Sequence, residues 1–163
     1  VTVLHQPKLL IFDEPFSGFD PVNANIIKDE ILELKQKGST IIFSTHRMES
    51  VEEMCDEIAL IHKSNKLLDG SLVDIKKEYR SNTFDLGINA MNPNQLKEFL
   101  NAKYQIEETF FKSLDNELKL SVKLNDRSAN ELLNDVLPFG QITHFSEKIP
   151  SINDIFIQTV TNN

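Results

Sequence analysis

The chain holds a single cysteine, Cys55, so neither an internal disulfide nor a cysteine-built zinc cluster can form, and a reducing compartment is the simpler setting. Basic side chains are in the minority, 17 against 25 acidic ones, for a net charge of −8. That balance repels phosphate backbones and argues against nucleic acid as a main partner. No apolar run approaches the roughly 20 residues that a membrane-spanning helix requires. A basic, apolar signal sequence is lacking as well. The five glycines are all isolated, so the phosphate-wrapping loop G-x-x-x-x-G-K-[ST] is absent. His5, His62 and His144 show no metal-ligand spacing, and no repeat or low-complexity tract occurs. The first residue is Val1 rather than a methionine, and a fragment of a longer protein is the expectation.

What is present suits one globular domain or two small ones, since 163 residues with 40% apolar and 26% charged content can bury a real core. The informative stretch is "LLIFDEPFSGFDP", residues 9–21. Lys8 to Phe12 is a short apolar run of the kind a parallel sheet covers on both faces. Asp13 and Glu14 fall at its carboxyl end, the edge where parallel sheets bind ligands. Pro15 stops the strand. Asp20 then fits as a helix N-cap with Pro21 at the first helical position.

Val22, Ile26, Ile27, Ile31 and Leu34 recur at helical spacing, and Gly38 suits a left-handed close. Thr40 to Phe43 is β-branched and aromatic, a second strand ending in Ser44-Thr45-His46. Strand, helix and strand make a right-handed crossover, so the two strands are predicted parallel and His46 emerges beside Asp13 and Glu14. Taken singly, an Asp-Glu pair beside a proline also fits a helix-starting turn, and a lone histidine an ordinary loop. Three motifs in this order favour a site.

The segments "LLIFDEP", "SGFDP" and "STHRMES" resemble the second half of an ABC-transporter ATPase domain over residues 1 to about 82. The resemblance implies that Asp13 is the Walker B residue contacting Mg²⁺ and that Glu14 is the catalytic base holding the attacking water. It makes His46 the switch residue at the γ-phosphate. Ser17 to Asp20 become the D-loop, with Ser17, Gly18 and Asp20 serving the nucleotide where two ATPase subunits meet head to tail. Phe19 stands where the family usually has leucine. ATP and Mg²⁺ as cofactors of the full-length parent, transporter membrane subunits and a second ATPase subunit as partners, and a place on the cytoplasmic face of the membrane are implied alike. The family's "LSGGQ" signature and glutamine loop are not in these residues.

Beyond His46, a helix over 47–55 with Met48, Val51 and Cys55 inward and a hairpin turned at Ser64-Asn65 are predicted. Ser71 to Asp74 reads as a capping box opening a short helix, and Arg80-Ser-Asn82 as a domain boundary. Strands at 83–89, 104–112, 116–124 and 140–147, with helices at 93–101 and 127–136, spell the ferredoxin-like order, its central hairpin turned at Asp115-Asn116. A last helix starts near Pro150. "IPSINDIF" resembles the "PSLEDIF" tail that follows the ATPase core in many bacterial exporter-type ABC subunits.

The expected fold is therefore α/β: a partial P-loop NTPase sheet of the ABC ATPase type over 1–82, followed by a ferredoxin-like α+β accessory domain over 83–163. The expected function is that of an ATP-binding and hydrolysing transporter subunit. The alternative is a non-catalytic dimerisation or regulatory module. A DNA-repair or chromosome ATPase shares the carboxylate pair, but the motif wording and the missing basic surface argue against it. Carboxylates without a phosphate cradle leave nucleotide unbound. The purified 163-residue chain is expected to show no Mg-ATP turnover in a phosphate-release assay, and measurable turnover would contradict that.

Overall fold

Two lengths of apolar chain, one on each side of a helix, pair side by side at the start of the molecule. The computed structural model describes residue 3, residues 5–108 and residues 117–161. Strand β1 (Leu9–Asp13) and strand β2 (Thr40–Ser44) run parallel, with Leu9 opposite Thr40 and Asp13 opposite Ser44. Helix α1 (Pro21–Gln36) makes the crossover between them. Asp20 caps it, and Gly38 follows its end at φ +95°, a left-handed backbone that glycine adopts without a Cβ clash.

One face of this strand pair is covered. Phe12, Ile41 and Phe43 pack against buried Phe16, Ile31 and Met54. The other face is bare: Ile11 is 71% exposed, Ile42 54% and Leu9 52%. The expectation of a strand covered on both sides is thus corrected. Alternation puts these three side chains opposite the α1 face, and no described element lies over them. The α1 stripe is corrected too, because Val22 and Ile26 are exposed while Ala24 and Ile31 carry the burial.

Helix α2 (Met48–Met54) follows, buried through Ser50 and Met54, with Cys55 half-buried at its end. Strands β3 (Glu57–His62) and β4 (Asn65–Ser71) form an antiparallel hairpin. Its turn is Lys63-Ser64, both at positive φ as a type I′ turn demands. The expected turn lay one residue later, but Asn65 already pairs with His62. Helix α3 (Leu72–Glu78) closes this stretch.

The remaining elements are β5 (Thr83–Ala90), α4 (Pro93–Asn101), β6 (Gln105–Glu108), β7 (Leu118–Lys123), α5 (Ala129–Val136), β8 (Gly140–Glu147) and α6 (Ile152–Thr161). Strands β5 to β8 make one antiparallel sheet in the order β6-β7-β5-β8, the ferredoxin-like arrangement. Described elements fall within two residues of their expected starts. The turn expected at Asp115-Asn116 and the end of the strand expected over 104–112 lie outside the described residues.

Leu86, Ile88, Leu120 and Val122 of the sheet meet Leu96 and Leu100 of α4 and Leu132 and Val136 of α5, all essentially sealed from solvent. Each helix starts on a side-chain cap. Asn92 accepts from the Gln95 N–H at 3.3 Å, and Ser128 and Glu131 cap each other's backbone N–H groups. Gly140 opens β8 where a Cβ would collide with the Asn89 backbone carbonyl.

By their contacts the described residues form two units, one reaching Ile75 and resuming at Ser151, the other Lys76–Pro150. The division runs after Ile75 rather than after Asn82 and groups α6 with the first unit, because α6 packs on α2. Among the described residues no helix is long and apolar enough to cross a membrane.

In the second unit the buried Tyr104 hydroxyl donates to Asp135 Oδ2 at 2.9 Å, and Lys103 holds the other carboxylate oxygen at 2.9 Å. Burial first, then that carboxylate, push the Tyr104 phenol up to about 12 from 10.0. A group whose folded pKa is raised stabilises fully below its unfolded pKa and loses that contribution as pH climbs through the folded one. Second-unit stability should therefore fall between pH 10.0 and about 12, and Tyr104→Phe should remove that component of the decline. Urea midpoints across this range check it.

Candidate functional site

The parallel register sets the geometry. With Asp13 opposite Ser44, the next residue on each strand leaves the sheet at the same rim. The ladder continues one step further, as the Glu14 N–H donates to the Ser44 carbonyl at 3.1 Å and approaches its Oγ at 3.2 Å. Glu14 itself has φ +45°. For a residue with a long side chain this left-handed backbone costs about 1 kcal/mol or more. It turns the Glu14 carboxylate back across the end of β2.

There the carboxylate is held by the loop that follows. Oε1 accepts from the His46 backbone N–H at 3.1 Å and lies 2.7 Å from His46 Nδ1. Because an ionised carboxylate only accepts, Nδ1 carries the proton in this contact. Thr45 Oγ1 reaches Oε2 at 3.3 Å and also receives the Arg47 N–H at 3.1 Å. The His46 ring, through this hydrogen bond, holds the Glu14 carboxyl below its ordinary range. The pair stays wet, with the His46 side chain 76% and the Glu14 side chain 33% exposed. Its charge contributes little to stability, and its geometry orients both groups.

Asp13 accepts a short hydrogen bond from Ser44 Oγ. Ser44 thereby ties the Asp13 carboxylate to the Glu14 backbone N–H, a role the sequence alone did not give it. The signal lies only in the letters S-T-H, and its meaning depends on a register set across the crossover. Phe16, 1% exposed, anchors the turn after Pro15 by meeting the Phe43 ring edge-on at 5.8 Å between centroids.

The structure thus brings Asp13, Glu14 and His46 together. Ser17, Gly18 and Asp20 stand apart from them in the exposed turn leading to α1. The Ser17 N–H donates to the Glu14 carbonyl at 3.0 Å, and Gly18 has φ +79°. Asp20 spends its carboxylate on α1, accepting from the Val22 and Asn23 N–H groups at 3.0 and 3.1 Å and from the Asn23 side-chain amide at 2.5 Å. That amide, then the backbone donors, lower the Asp20 pKa. The rim opens onto a cleft of about 1260 Å³ lined in part by Asp13, Ser44, His46, Ile41, Leu60 and Phe156.

Among the described residues no three His, Cys, Asp or Glu side chains converge as a metal cage. A lone carboxylate beside a hydroxyl at a strand end still fits a hard cation that keeps its water, as Mg²⁺ does. The donor set does not suit a metal bound through nitrogen or sulfur.

Residues 70–160 match the C-terminal domain of the family described as ATP-binding protein DrrA1-3-like. An uncharacterized ABC transporter ATP-binding protein of Alkalihalophilus pseudofirmus is 36% identical over 98% of this chain and 57% of its own length. The protein YhaQ of Bacillus subtilis, likewise named an uncharacterized ABC transporter ATP-binding protein, is 35% identical over 97% of this chain and 50% of its own length. The chain therefore spans about half the length of these curated relatives. A solved structure titled "Structure of ATP binding subunit of ABC transporter" is 35% identical over 45% of this chain and 31% of that chain, with a TM-score of 0.42.

The capping role of Asp20 is directly measurable. Asp20→Ala should lower the urea midpoint of the first unit, and an unchanged midpoint would show the cap to be idle.

Proposed function

This chain belongs to the family of DrrA1-3-like ATP-binding proteins, and we propose that it supplies the hydrolytic half of the ATPase core of an ABC transporter subunit. The observation that carries this reading is the Glu14 carboxylate held 2.7 Å from His46 Nδ1 beside Asp13, all on one rim of paired parallel strands. Phosphoryl transfer to water depends on positioning and charge neutralisation rather than on covalent help from the protein. A rim that fixes two carboxylates and an imidazole answers that requirement.

In this reading Asp13, its carboxylate oriented by the Ser44 hydroxyl, would hold Mg²⁺. The ion, when bound, neutralises charge on the phosphate oxygens. Glu14 receives and orients the attacking water. Its low pKa keeps it ionised at neutral pH, and an ionised carboxylate can only accept a hydrogen bond from that water. His46, exposed on its ring face, reaches the γ-phosphate of ATP. Ser17, Gly18 and Asp20, exposed beyond the buried anchor Phe16, face a second ATPase subunit and its nucleotide. The full-length protein works on the cytoplasmic face of the membrane with transporter membrane subunits, and nucleic acid is not its partner.

The ferredoxin-like elements of the second unit, Lys76–Pro150, serve pairing or regulation of the ATPase. A second reading makes the chain a non-catalytic module of the transporter. The bare face of Leu9, Ile11 and Ile42 and the missing phosphate loop favour it for these residues taken alone.

The two readings separate in the full-length protein. Glu14→Gln should lower ATP turnover by roughly 10²-fold or more while nucleotide binding, read by equilibrium dialysis, persists. Turnover within twofold of the parent would remove Glu14 from the reaction.

A further inference from the structure

His46 leaves β2 only two residues before α2 begins, so wherever α2 sits, the imidazole follows. Helix α2 is too short to be stable alone, and Arg47 at its N-cap gives it no side-chain hydrogen bond. Its position has to come from outside. One side is tied to α1, where Lys28 pairs with Glu53 and Lys35 Nζ donates to the Met54 carbonyl at 3.3 Å and to Asp56 at 2.8 Å. Lys28 and Lys35 reach α2 through long, flexible side chains.

The other side is tied to the last helix. Glu52 Oε1 accepts the backbone N–H of Ile152 at 2.5 Å, a part-buried bond across one hundred residues. Ile152 is the first residue of α6, so a carboxylate from α2 meets one of the N–H groups that α6 cannot satisfy internally, where its dipole is positive. Such charge-assisted bonds are stronger and more directional than neutral ones. The Ser151 and Asp154 side chains cap the same turn, with Ser151 Oγ accepting from the Asp154 N–H at 3.1 Å. Ile152 and Ile155 are each 1% exposed, and Phe156 meets the His62 ring of β3 edge-on at 6.2 Å. Helix α6 is thereby docked on both α2 and β3.

We propose that Glu52 is a positioning residue: through the Ile152 N–H it locks α2 to α6 and so keeps His46 seated on Glu14. This rests on the reading of Glu14 and His46 as the reacting pair, and it adds that the end of the chain sets their alignment. Glu52 touches neither nucleotide nor water in this role.

Amide hydrogen exchange on this chain tests the coupling without any turnover. Glu52→Ala should speed exchange at the Ile152 and His46 N–H groups about tenfold and leave Ile42 of β2 unchanged. Glu52→Gln keeps a carbonyl acceptor and should restore most of the protection. In the full-length protein Glu52→Ala should lower kcat by about tenfold with KM for ATP unchanged, because alignment and not binding is lost. Faster exchange at Ile152 with His46 unaffected overturns the proposal. So does an unchanged kcat in Glu52→Ala where Glu14→Gln abolishes turnover. If His46 exchange responds but neither Glu52→Ala nor Glu14→Gln alters turnover, the coupling stands and the catalytic reading fails.

Discussion

One hydrogen bond past the end of a strand ladder governs the site: the Glu14 N–H on the Ser44 carbonyl. It exists because β1 and β2 run the same way and end together. The crossover helix between them enforces that direction, with Asp20 fixing where it starts and Gly38 where it stops. Once the register is set, β1 delivers Asp13 and Glu14, and β2 delivers the loop that carries His46, to one rim. The left-handed backbone at Glu14 is the local cost, offset by the hydrogen bonds its carboxylate accepts from Thr45 and His46 and its N–H donates to Ser44.

The two units are built on opposite plans. The second encloses a sheet and two helices around side chains that water does not reach, with caps on both helices and a satisfied Tyr104-Asp135-Lys103 network. Among its described residues no three His, Cys, Asp or Glu side chains converge as a metal cage. The first collects its polar groups at an open edge and leaves apolar side chains uncovered.

Much of this was legible in the letters. The apolar run before Asp13-Glu14, the Asp20-Pro21 start, the Gly38 stop and the β-branched run before His46 each encode local structure by a mechanism that acts within a few residues. The ferredoxin-like order was readable for the same reason, and the Ser128 to Glu131 cap has the S-x-x-E form that marks such a helix start. What stayed hidden depends on neighbours far along the chain. Periodicity tells which side chains an element could bury, not what arrives to cover them, so Val22, Ile26 and Ile11 looked interior. Lys63-Ser64 lacks the glycine or asparagine that usually announces positive φ. Ser44 and Glu52 are unremarkable letters whose partners are chosen by register and docking.

The naked side of the β1-β2 pair also has a colloidal meaning. Leu9, Ile11 and Ile42 are exposed, and particles carrying a charge of −8 repel one another. That repulsion reaches about 10 Å in 0.1 M salt and about 3 Å in 1 M salt. Dilute buffer keeps the molecules dispersed, whereas concentrated electrolyte lets these greasy ribbons find one another.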